Sequence, residues 1–111
     1  MAIHFQTSTP SKLLNSFKEA IDKKIVATWS YDKDGDFTHA TEQWKNSAWL
    51  RPVIANNELI FSIIKPQNSN ISTEIYAIYH GRFIESMLVH CDSLFTKVSA
   101  TAFPADNDLV S

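Results

Sequence analysis

The sequence predicts an α+β fold: a small two-layer sandwich, in the order α-β-β-β-α-β, with a mostly antiparallel sheet carrying two helices. Two apolar stripes at three- and four-residue spacing, one near each end of the chain, mark the helices. Between them, segments with two-residue alternation or short apolar runs mark strands. At 111 residues the chain has the size of a single domain spanning 1–111, and 44% hydrophobic content is ample for a core.

The first helix is expected over 10–23. Ser8 or Thr9 can cap its free N–H groups, and Pro10 suits the first helical position. Leu13, Leu14, Phe17, Ala20 and Ile21 make the apolar stripe, and Lys23 and Lys24 complement the negative end of the helix dipole. Residues 25–31 alternate, with Ile25, Ala27, Trp29 and Tyr31 on one side, and are expected to form a half-buried strand.

Two further strands are expected at 48–54 and 58–64, joined by a tight hairpin at Asn56 and Asn57, which tolerate positive φ. Pro52 cannot donate a ladder hydrogen bond, so its strand is an edge or bulges there. The segment 66–70 is a loop. After it, Ser69 or Ser72 caps a long helix running to about His90, with Tyr76, Tyr79, Phe83 and Met87 on its apolar stripe. Gly81 weakens this helix; the alternative makes 75–80 a strand and starts a shorter helix at Arg82. A last strand is expected at 95–102, and 102–111 is expected to be a flexible acidic tail.

The stretch YDKDGDFTHATEQW at 31–44 places three aspartates at alternate positions, followed by a histidine and a glutamate. Counted as an EF-hand from Asp32, it has acids at the first, third and fifth positions, Asp32, Asp34 and Asp36. Gly35 falls two positions early, Gln43 stands where the bidentate glutamate belongs, and a strand rather than a helix leads in. His39 and Glu42 have a spacing that one helical face could use, but the other histidines lie far off. A polar surface loop is the expected outcome, with no metal site.

No catalytic residues are assigned. Cys91 follows His90, and adjacent helical residues diverge by about 100°, so the two cannot act together. With only two glycines there is little scope for a phosphate cradle, and no cofactor is implied. The net charge of −2 supplies no basic stripe for nucleic acid, and the apolar runs are too short to cross a membrane. A lone cysteine, and an N-terminus without a basic and then apolar stretch, fit a cytoplasmic setting.

Two surfaces stand out. In 58–64, Leu59, Phe61 and Ile63 face one way, Ile60 and Ile64 the other, so both faces are apolar. Two helices on one face would leave Trp49, Val53, Ile60 and Ile64 uncovered beside the loop 33–47. Trp44, Trp49, Arg51 and Val53 are therefore expected to bind a protein partner or a second copy of the chain, since tryptophan and arginine concentrate at binding hot spots. The chain would then be a non-enzymatic interaction module of accessory, inhibitor or immunity type. The alternative is a small-molecule binder or modest enzyme with a pocket around Tyr79, His80 and Arg82, with Glu85 nearby.

Overall fold

The computed structural model describes residues 2–66 and 71–102. Helices α1 (Pro10–Asp22) and α2 (Thr73–Cys91) pack on one face of a six-stranded sheet, giving a two-layer α+β sandwich. The strands are β1 (Ala2–Gln6), β2 (Trp29–Tyr31), β3 (Phe37–His39), β4 (Trp49–Ala55), β5 (Glu58–Ile64) and β6 (Lys97–Ala100). Their spatial order is β2-β3-β4-β5-β1-β6, antiparallel at every pairing. The elements expected from sequence occur in the expected order; β1 and β3 are additional. The expectations for Ser69 as a cap and for a tail over 103–111 lie outside the described residues.

β1 alternates Ile3 and Phe5 into the core with Ala2, His4 and Gln6 on the other face, and fills the slot between β5 and β6. β3 lies within the segment expected to be one long loop. It is the second arm of a hairpin whose turn is built by Asp32, Asp34, Gly35 and Asp36. Gly35 takes φ 83°, and Asp32 Oδ1 accepts from the N–H groups of Asp34 at 2.9 Å and Asp36 at 3.0 Å. Asp36, 6% exposed, accepts a two-pronged contact from Arg51 at 2.9 and 3.0 Å. These carboxylates thus organise the hairpin.

The strand expected at 25–31 is shorter. Lys24 adopts φ 61°, and the N–H groups of Ile25 and Val26 turn back to the Ala20 carbonyl at 2.9 and 3.1 Å. The last carbonyls of α1 take these N–H groups before a strand can, which leaves Ile25 61% exposed. Thr9 stands at the N-cap of α1 without a side-chain capping bond, whereas Ser72 caps α2 by accepting from the Ile75 N–H at 3.1 Å. Asn57 makes the β4–β5 turn with φ 61°. Pro52 is accommodated because β3 pairs with β4 only at Phe37–Leu50 and leaves that side of β4 open beyond it.

α2 runs unbroken through Gly81 because Tyr79, Phe83, Met87 and Cys91 anchor it to the core. Phe83 is the hub. Its ring meets those of Phe61 at 4.5 Å, Trp29 at 5.0 Å, Phe17 at 5.2 Å, Phe37 at 5.8 Å and Phe5 at 6.2 Å. Such a cluster joins both helices and four strands, so one side chain controls most of the packing.

Candidate ligand-binding site

Loop 40–48 connects β3 to β4 and folds against α2. The clasp is the hydroxyl of Tyr79, a fully buried residue. It donates to the Trp44 carbonyl and accepts from the N–H groups of Ser47 at 3.3 Å and His39 at 3.4 Å. Beside it, Thr38 Oγ1 donates to the Ala48 carbonyl at 2.9 Å and accepts from the Asn46 N–H at 3.1 Å. Turn bonds to the Thr41 and Trp44 carbonyls satisfy part of the loop's backbone, and the two side-chain hydroxyls add partners for groups that have no strand ladder.

The fold leaves a cavity of about 310 Å³ between loop and helix. That volume is at the small end of ligand sites, which run from about 300 to 1,000 Å³. Arg82, Glu85 and Ser86 line it from one face of α2, where residues three and four apart are neighbours. His39, from β3, and Thr41, Gln43 and Trp44, from the loop, also line it, with Thr28 just before β2.

His39 is 5% exposed. Its Nδ1 accepts from the Thr41 hydroxyl at 2.9 Å and the Thr41 N–H at 3.4 Å, so the neutral ring carries its proton on Nε2. Nε2 makes no hydrogen bond among the described residues. Burial, and then the neighbouring Arg82 cation, lower the His39 pKa below its ordinary value, which keeps the ring neutral. Arg82 and Glu85 are joined loosely, at 3.9 Å, with both side chains more than half exposed.

Of the residues proposed for ligand binding, only Arg82 reaches this cavity, with Glu85 beside it. Tyr79 instead spends its hydroxyl on the loop, and buried His80 donates from Nδ1 to the Tyr76 carbonyl at 2.9 Å. Sequence reasoning missed His39 as a lining residue and coupled it with Glu42. Glu42 is in solvent, bonded to Lys45 at 3.2 Å. The available signal was the β3 alternation, which turns His39 to the same side as Phe37.

The proposed partner-binding set divides likewise. Trp49, Arg51 and Val53 share the helix-free face of the sheet, in register with Ile64, Ser62 and Ile60. Trp44 does not join them; it packs against the core and walls the cavity. Arg51 is engaged by Asp36, and Ile60, expected to be uncovered, is 7% exposed between its cross-strand neighbours Val53 and His4.

Among the described residues, no helix is long and apolar enough to cross a membrane. No protein-family model, curated protein or solved structure matches the chain.

Proposed function

We propose that the protein binds a small molecule in the cavity between loop 40–48 and α2. The observation that carries this reading is the convergence there of a buried neutral histidine, an unclamped guanidinium, a carboxylate and an aromatic wall, His39, Arg82, Glu85 and Trp44. A concave site with few directed polar groups and one aromatic side is the form ligand sites take. A reducing, cytoplasmic setting is supported by the single cysteine, buried Cys91.

The test is a screen of small polar aromatic fragments read by amide and indole chemical shifts. Binders should move Thr28, His39, Thr41 and the Trp44 indole. Shifts confined to Arg51 and Val53, or none at millimolar fragment, would overturn the proposal.

A second reading, a protein partner or a second copy docking on the sheet, is supported by the helix-free face bearing Trp49, Val53 and Ile64. Native mass spectrometry of the purified chain and of what accompanies it tests that reading. A fixed stoichiometry lost in Trp49→Ala supports it, and a bare monomer opposes it.

A further inference from the structure

Resting on the ligand-binding reading, we infer that the ligand is a small planar carboxylate, held by the Arg82 guanidinium and the His39 Nε2–H, its flat body against Trp44. Three features single out this chemistry. First, Thr41 occupies Nδ1 of His39, a residue lining the cavity, from two groups, so the ring's other nitrogen, Nε2, is a donor and calls for an acceptor. A neutral imidazole with one N–H recognises an oxygen lone pair, and a ligand offering only donors there would leave that N–H unanswered.

Second, among the described residues Arg82 has no tight partner. Its contact with Glu85 spans 3.9 Å between two largely exposed side chains, so an incoming oxyanion can take the guanidinium fork at little cost. A guanidinium presents paired N–H donors that match the two oxygens of a carboxylate. Third, Glu85 stays on the same wall. Its charge leaves room for one further negative charge beside Arg82 and opposes a dianion such as a phosphate monoester. Among the described residues Trp44 supplies the aromatic ring lining the cavity besides the His39 imidazole, and in about 310 Å³ a single flat ring system is what fits against it.

Titration calorimetry with benzoate, benzamide and phenyl phosphate tests the inference on the full chain. Benzoate is expected to bind best. Arg82→Gln, at an exposed position where folding is safe, should weaken it about tenfold, and Arg82→Lys less, because charge persists without the fork. The His39 Nε2 nitrogen shift should move on benzoate addition. Benzamide binding as tightly as benzoate would overturn the carboxylate while leaving a ligand site in place. Tighter phenyl phosphate would overturn the single charge, and an unmoved Nε2 would overturn the role of His39. Absence of binding by all three at millimolar concentration would overturn the inference as a whole; the fragment screen then decides separately whether the cavity binds anything.

Discussion

Trp44 and Trp49 are five residues apart in sequence, yet they serve different faces of the molecule. Trp44 belongs to a short loop that a buried tyrosine hydroxyl pulls onto α2, and its ring becomes the wall of a concavity. Trp49 belongs to a regular strand, and because its neighbour Leu50 is fully buried it points the other way, onto a flat face. The contrast shows where recognition chemistry can arise in so small a fold. A strand face presents alternate side chains in plane, whereas a loop folded over a helix brings groups from distant positions around one space.

The comparison can be broken or sharpened by substitution. The largest effect should come from Phe83→Ala, which removes the central ring of the core on which both regions rest; about 3–5 kcal/mol of stability should be lost, measured by urea denaturation. Tyr79→Phe should separate the regions. It leaves the His39 N–H without its hydroxyl acceptor and the Trp44 carbonyl and Ser47 N–H with only their mutual contact at 3.3 Å, and should cost about 1–3 kcal/mol. Faster amide exchange should appear in loop 40–48 but not in β4 and β5; uniform acceleration would contradict the clasp.

On the flat face, Arg51→Ala removes the partner of the buried Asp36 carboxylate and should cost about 1–2 kcal/mol, since the arginine itself is half exposed. Ligand binding should survive it.

A pH series probes the cavity side. The folded pKa of His39 is depressed, so near and below the unfolded value of about 6.5 the unfolded chain binds more protons. Stability should therefore fall as pH drops through that value toward the folded pKa, by at most about 1.4 kcal/mol per pH unit, and His39→Gln should flatten this slope. An unchanged slope would show the titrating group to be elsewhere. The smallest effect should be that of Trp49→Ala, about 1 kcal/mol or less, because the ring is only half buried. Fragment shifts at His39 and Trp44 should be unaffected by it.

Much of the architecture was legible without coordinates. The stripes of α1 and α2, the β4–β5 hairpin at Asn57 and the two-sided apolar character of β5 follow from side-chain period and turn chemistry, which act between near neighbours. Two strands were not. β1 is only five residues long and β3 has only three inside a polar segment, so neither stands out by periodicity alone. The site was less legible still. Arg82 and Glu85 could be picked as neighbours on one helix, but His39 and Trp44 come from a hairpin and a loop more than thirty residues away.

By itself, then, the sequence determined the fold class, the long helix carrying Arg82 and Glu85, and the strand face carrying Trp49, Arg51 and Val53. Only the tertiary structure decided that Trp44 leaves that face, that Tyr79 closes the loop rather than a ligand, and that His39 and Arg82 line one cavity. The physical reason is range. Periodicity and capping are properties of adjacent residues, whereas the Tyr79 hydroxyl chooses its acceptor among loop carbonyls far along the chain, and only packing of α2 on the sheet brings that choice within hydrogen-bond distance.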